Sequence, residues 1–155
     1  SENEKALSNR QLEPSQFDLP KLKSVFEMDM NLTLEALDLF IQDSQHALSR
    51  LTKGLETRDL KTIKQAAKKL QGAASYIYAN DLTYVCDNIA LGCSYTDFSI
   101  LSMLIGEVEN LRQKIISEIL DFIQENPEEQ INELSPAVIA LLQPAEQEQI
   151  EVRTL

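Results

Sequence analysis

The chain has 155 residues, 43% of them hydrophobic and 25% charged, with a formal net charge of -11 at pH 7 and a pI near 4.5. That length supports one helical domain with a full hydrophobic core and about thirty to forty further residues. Nucleic acids and anionic membranes attract basic surfaces, so the acidic balance argues against both as partners. No run approaches the roughly 18 apolar residues that span a bilayer, and the first residues do not resemble a signal peptide. We therefore expect no membrane insertion and a cytoplasmic location.

The first part of the chain predicts a leader followed by a short helix. Residues 1–15 are polar and lack periodicity, which is typical of a leader or linker. Asp18 then has the character of a helix N-cap, with Pro20 in the first turn. One apolar stripe is predicted on this helix: Leu19, Leu22, Val25 and Phe26.

Two long amphipathic helices follow. From about Leu32 to Leu55, apolar positions recur at the three-and-four spacing of a helix with one buried face. His46, the only histidine, falls on the opposite face and is expected at the surface. Asp59 is predicted to cap the next helix, which should run to about Ala79. The two predicted stripes are Leu34, Leu37, Phe40, Ile41, Ser44, Leu48, Leu51 and Leu55, then Leu60, Ile63, Ala67, Leu70, Ala74 and Ile77.

Two more helices complete the pattern. Asn80-Asp81 closes the third helix and opens a fourth, and the polar turn 94–97 precedes a last long helix. The fourth helix is predicted to bury Leu82, Val85, Cys86 and Ile89, and the last one Ile100, Leu101, Leu104, Val108, Leu111, Ile115, Ile119 and Phe122. The sequence therefore predicts an all-α fold: an up-and-down antiparallel four-helix bundle over residues 16–126, with a short extra N-terminal helix.

Residues 127–155 form a C-terminal extension of different character. From Glu118 to Glu151 there are nine acidic residues and no basic one, and an apolar cluster, 138–142, lies between Pro136 and Pro144. Such a segment, partly helical or flexible, either folds back on the bundle or engages another protein. The sequence leaves these two alternatives open.

The two cysteines are expected to be buried core residues. Cys86 and Cys93 are seven residues apart, which on one helix separates them by about 10 Å along the axis. That spacing is too long for a disulfide between them. Because no histidine-rich or carboxylate cluster accompanies them, we expect no metal site and no cofactor.

The third helix is locally basic in an otherwise acidic protein. Between positions 53 and 69 there are two acidic residues and six basic ones: Lys53, Arg58, Lys61, Lys64, Lys68 and Lys69. Helical spacing puts Lys61, Lys64 and Lys68 on one outward stripe with Gln71, Gly72 and Ser75. The alternative interpretation without a binding function is that this stripe is simply a solvated helix face.

The segment from Lys68 to Leu82, followed by Val85-Cys86 and Ile89, resembles the signature of histidine-phosphotransfer (HPt) domains. That signature begins with the phospho-accepting histidine, followed by any residue, Leu, Lys and Gly. The resemblance covers roughly residues 17–122 and matches at Leu70, Gly72, Ala79, Leu82 and Cys86. Three family positions differ: Lys68 replaces the histidine, Gln71 the lysine and Tyr78 a glycine.

This resemblance implies a scaffold that has lost its phospho-acceptor at Lys68. Neutral imidazole offers a free lone pair near pH 7, whereas an exposed lysine with the ordinary pKa of about 10.4 is neutral in about one molecule in 2,500. In the family, this face docks the acidic pocket of a response-regulator receiver domain. We therefore predict no enzymatic activity and binding of a receiver domain through Lys61, Lys64, Lys68, Lys69, Gln71, Gly72 and Ser75.

The competing hypothesis is a helical scaffold or adaptor. Its contacts would run through the acidic extension 127–155 or through dimerisation of the bundle. The sequence does not identify the protein partner or the oligomeric state.

Overall fold

The computed structural model describes residues 15–94, 97–126 and 134–143, and these ranges form six α-helices. The fold is an all-α bundle, as predicted, in which α2 to α5 are the four long elements and α1 lies beside them. The helices are α1 (Leu19–Val25), α2 (Met30–Thr57), α3 (Leu60–Tyr76), α4 (Asn80–Gly92), α5 (Phe98–Gln124) and α6 (Pro136–Leu142).

Side-chain caps fix most of the helix starts. Asp18 accepts a hydrogen bond from the Lys21 amide at 3.0 Å, and Asp59 accepts one from the Thr62 amide at 3.1 Å. Both caps were predicted, and Pro20 lies in the first turn of α1 as expected. Asp29, Asp97 and Ser135 cap α2, α5 and α6 in the same way.

The turn between α2 and α3 consists of only two residues. Arg58 adopts a left-handed backbone, φ +53°, which turns the chain. The Asp59 amide then donates to the Gly54 carbonyl at 2.8 Å, closing α2, while the Asp59 side chain opens α3. One residue therefore ends one long helix and begins the next.

The core lies between the facing stripes of α2 to α5. Phe40, Leu51, Leu70 and Ile115 are among its largest fully buried side chains. Burying a side chain of this kind contributes about 1.5–3 kcal/mol, so the matched stripes are the main source of stability. Cys86 and Cys93 are buried, free thiols, as predicted.

One buried polar contact ties α5 to α2. Arg112 donates from Nε to Ser44 Oγ at 2.7 Å and from Nη2 to the Ile41 carbonyl at 3.1 Å. Ser44 was predicted in the buried stripe, and it is buried as the partner of this guanidinium.

The predicted end of the third helix is wrong. Helix α3 ends at Tyr76, three residues before Ala79. Tyr78 has φ +61°, in the left-handed region, and the Ala79 amide donates to the Ala74 carbonyl at 2.9 Å. This closing geometry usually uses a glycine, so the tyrosine adopts the turn although its side chain disfavours it.

Two predicted core positions are wrong as well. Val25 is 55% exposed because α1 is short and buries only Leu22. Ile100 is 47% exposed because the buried face of α5 runs through Leu101 and Ile105, which turns the preceding residue away from the bundle.

The described part of the C-terminal extension folds back on α2. Leu134 and Val138 are buried in the common core. Ser135 donates from its amide to Asp38 Oδ2 at 2.9 Å and from Oγ to Asp38 Oδ1 at 2.7 Å. For residues 134–143, the fold-back alternative is therefore the observed one. The rest of segment 127–155 and the leader 1–14 lie outside the described residues, and the division into three units stays a prediction.

Among the helices that can be described, none is long and apolar enough to cross a membrane.

Candidate functional site

Helix α3 buries one side and presents the other to solvent. Its core side consists of Ile63, Ala66, Ala67, Leu70 and Ala74. We call the opposite set of residues the α3 face: Lys61, Lys64, Lys68, Lys69, Gln71, Gly72 and Ser75. All of these residues are exposed except Gln71. Gln71 is half-buried, on the side of α3 that lies towards α1.

Lys68, where the sequence predicts that a phospho-acceptor has been lost, has an exposed side chain. Within the described ranges, no acidic side chain forms a salt bridge with it. Lys64, one turn earlier, and Lys69, the next residue, are exposed as well. The charge of Lys68 is therefore available to an acidic group from outside the molecule.

Gly72 lies one turn beyond Lys68 and leaves open space. A Cβ built at this position would meet no atom within 4 Å. Gly54 is different, because a Cβ there would lie 2.8 Å from Ile63 Cγ1 and would push α2 and α3 apart. Packing thus requires the glycine at 54 but does not require the glycine at 72.

Two shallow grooves meet at Gly72 and Tyr76. The first, of about 260 Å³, lies between α2 and α3. The second, of about 490 Å³, lies between α1 and α3. The first groove is lined by Ala36, Leu39, Phe40, Asp43, Lys69, Gly72, Ala73 and Tyr76, and the second by Leu22, Val25, Phe26, Gln71, Gly72, Ser75, Tyr76 and Tyr78.

Apolar side chains in these grooves were missed by sequence reasoning. Leu39 and Tyr76 are both more than half exposed, and Val25 had been assigned to the core. Leu39 carries a usable signal, since it is a large apolar residue that lies off the three-and-four stripe of α2. Lysines therefore occupy one part of the α3 face, and exposed apolar side chains border the other.

Aromatic contacts hold α1 against the end of α3. The Lys21 ammonium lies 4.5 Å from the centre of the Tyr78 ring, and the rings of Phe26 and Tyr76 meet edge-on at 6.3 Å. Such contacts are each worth about 0.5–1.5 kcal/mol. Tyr78, where the resemblance predicts a glycine, therefore forms a wall of the second groove.

The remaining reactive groups lie away from this face. His46 is exposed on α2 and lines neither groove. Burial raises the pKa of the Cys86 thiol to about 12, with a smaller contribution from Asp87. In the part of the chain that can be described, no three metal-ligating side chains lie together.

Comparison with known proteins gives two matches. Residues 35–93 match the family model of the Hpt domain, and this range includes the last four-fifths of α2 and all of α3 and α4. The fold is similar to the crystal structure of the HPT domain from an Hpt sensor hybrid histidine kinase from Shewanella, with a TM-score of 0.61 and 18% sequence identity. That likeness covers 72% of this chain and 96% of the other. No curated protein matches the chain significantly.

These matches agree with the resemblance found in the sequence. The structural likeness shows an HPt-like helical bundle, and the family match places residues 35–93 in the part of the chain that carries the resemblance.

Proposed function

We propose that this chain is a non-catalytic HPt-like module that binds a response-regulator receiver domain and accepts no phosphoryl group from it. The observation that carries the proposal is the exposed Lys68 ammonium at the family's histidine position, with open space at Gly72 one turn beyond.

The absence of phosphoryl transfer is inferred from the groups on the α3 face. A phospho-accepting nitrogen needs a free lone pair, and a protonated ammonium has none. The chain's only histidine, His46, lies on α2 outside both grooves. Half-buried Gln71 stands where the family has a lysine, so a cation that would hold the transferred group is missing as well.

Receiver binding is inferred from charge and shape. The α3 face is basic on a chain of net charge -11, so an acidic pocket is attracted to this face and repelled elsewhere. The two grooves add apolar surface on either side of Gly72, which gives a partner contact area beyond the charges.

A binding experiment with a matched control tests the docking. Dissociation constants would be measured for a panel of purified receiver domains against the wild type, Lys68→Glu and Lys114→Glu. Lys114 is an exposed lysine on α5, away from the α3 face, so its reversal changes net charge equally. We expect Lys68→Glu to weaken binding at least about tenfold and Lys114→Glu to change it less than about twofold. Equal losses in both variants, or no binding by any receiver, would refute the docking.

A transfer experiment tests the chemistry separately. Receiver domains carrying radiolabelled phosphate would be incubated with the wild type and with a Lys68→His, Gln71→Lys double variant. We expect no label on the wild type, and label on the double variant, because imidazole restores a nucleophilic nitrogen on the same face. Label on the wild type would overturn the non-catalytic assignment. If neither protein takes label and no receiver binds, the adaptor hypothesis is favoured.

A further inference from the structure

A second set of large apolar side chains is exposed on α4 and the start of α5. Tyr84 is 67% exposed, Leu91 63% and Met103 65%, and Ile100 is nearly half exposed. We call these four residues the α4–α5 face. It shares no residue with the α3 face, and the bundle does not use these side chains for its own packing.

The four residues form one strip along two adjoining helices. Tyr84 and Leu91 are two turns apart on α4, and Ile100 and Met103 are one turn apart on α5, so each pair shares a side of its helix. The two helices touch at their near ends, since a Cβ at Gly92 would lie 3.2 Å from a methyl of Leu101. Leu91 and Ile100 each stand one residue from that contact.

The two helices that carry this strip are acidic themselves. Residues 80–111 contain no lysine, arginine or histidine and carry five acidic residues: Asp81, Asp87, Asp97, Glu107 and Glu109. All five side chains are exposed. Cations of the neighbouring elements reach the junction of the two helices, where Arg58 lies 4.8 Å from the centre of the Phe98 ring and Lys64 is near Cys93. Asp87 lies one turn from both Tyr84 and Leu91, and Glu107 one turn from Met103. Exposed apolar residues flanked by these carboxylates suit a partner that is apolar on one side and cationic around it.

We propose that the α4–α5 face is a second docking surface, and that its occupant is a cationic amphipathic helix of another protein. Such a helix would lay its apolar stripe along Tyr84, Leu91, Ile100 and Met103, with its lysines or arginines against the flanking carboxylates. Two copies that meet through this same face are a poor alternative, because their carboxylates would come together. With a receiver on the α3 face, the module would then join two partners.

The probe is an amphipathic Lys/Leu peptide of about 18 residues, with its leucines on one helical side. The comparison peptide has the same composition in an order that spreads the leucines around the helix, which separates surface matching from attraction to an acidic protein. Binding would be measured at about 150 mM salt, where long-range attraction is screened. Backbone amide shifts in NMR spectra would locate the bound peptide.

We expect the amphipathic peptide to bind at least about tenfold more tightly than its comparison peptide, with shifts concentrated on α4 and the first half of α5. Leu91→Ser with Met103→Ser should weaken binding about tenfold through lost apolar contact. Both side chains are exposed, so unchanged thermal unfolding would show that the fold is intact.

Two pairs of substitutions that each remove two carboxylate charges provide the second part of the test. Asp87→Asn with Glu107→Gln should weaken binding about fivefold to tenfold, whereas Glu35→Gln with Asp121→Asn should change it less than about twofold. The two pairs remove the same net charge, and the control residues are exposed outside the strip.

Any of four results would overturn the proposal. These are equal binding of the two peptides, shifts centred on another surface, unchanged affinity of the serine variant, or self-association of the chain through this face in sedimentation experiments.

Discussion

Replacing Gly72 with alanine tests whether the outward side of α3 is shaped by a partner or by the bundle. Glycine inside a helix costs about 0.5–1 kcal/mol relative to alanine, because it loses more backbone freedom on folding. A Cβ at this position meets no atom within 4 Å, so no clash offsets the gain. We expect Gly72→Ala to raise the free energy of unfolding by about 0.5–1 kcal/mol, which is about 1–4 °C in Tm for a chain of this size.

Two other glycines serve as controls for this stability measurement. Gly106 is in the middle of α5 and equally open, so Gly106→Ala should stabilise by a similar amount. Gly54→Ala should instead destabilise by about 1–3 kcal/mol, because its Cβ would lie 2.8 Å from Ile63 Cγ1 and 3.3 Å from the Ile63 amide nitrogen. Urea unfolding monitored by circular dichroism would measure all three variants.

Receiver binding should respond differently to a large side chain at Gly72 and at Gly106. Gly72→Gln places a larger side chain where the two grooves meet, and we expect it to weaken receiver binding at least about tenfold while the fold stays intact. Gly106→Gln carries the same substitution on α5 and should leave binding unchanged. Receiver binding by Gly72→Gln at wild-type affinity would refute the α3 face as the docking surface. A loss of stability in Gly72→Ala would refute the packing argument.

Three further predictions concern the bundle itself. A thiol reagent at about pH 8 should leave Cys86 unmodified in the folded protein, since burial raises the pKa of its thiol to about 12. The reagent should react first with Cys93, because that residue is 8% exposed. Modification of both at the rate of the unfolded chain would contradict this. Hydrogen bonds from the Thr62 hydroxyl and amide lower the pKa of Asp59. The Asp59 carboxylate therefore stabilises the fold above about pH 4, and this stabilisation is lost as the pH falls through the lowered pKa. The melting temperatures of the wild type and Asp59→Asn should therefore differ at neutral pH and converge in acid; a constant difference would refute the assignment. Arg112→Lys cannot make both buried hydrogen bonds and should cost about 1–3 kcal/mol in urea unfolding, against almost nothing for the exposed Lys114→Arg. A loss below about 0.5 kcal/mol would show that the pair with Ser44 is not needed.

Local sequence patterns were enough to predict most of the fold. The three-and-four spacing predicted the long helices, and the aspartates at 18 and 59 predicted the starts of α1 and α3, because both signals act within a few residues. The end of α3 needed more than local information, since the left-handed backbone of Tyr78 is a conformation that tyrosine disfavours by itself. Ile100 was misplaced because a run of two apolar residues does not say which one faces the core.

The candidate site also has one part that local sequence patterns predicted and another that they did not. The exposure of Lys64 and Lys68 follows from the phase of one helix, and the sequence predicted it. The grooves depend on how α1 and α2 lie beside α3, which no single-helix pattern contains. The docking of α6 through Ser135 and Asp38 joins residues 97 positions apart, and for that reason the sequence left the course of the extension open.

The two-residue junction at Arg58 and Asp59 has a consequence for the order of folding. Closing so short a connection costs little chain entropy, so the hairpin of α2 and α3 can form before contacts between distant segments. We expect substitutions at the contact of Gly54 with Ile63 to slow folding, and substitutions where Val138 docks to speed unfolding instead. Stopped-flow measurements of both rates would show the difference. The lysine-bearing helix would then be among the first parts of the molecule to reach its final form.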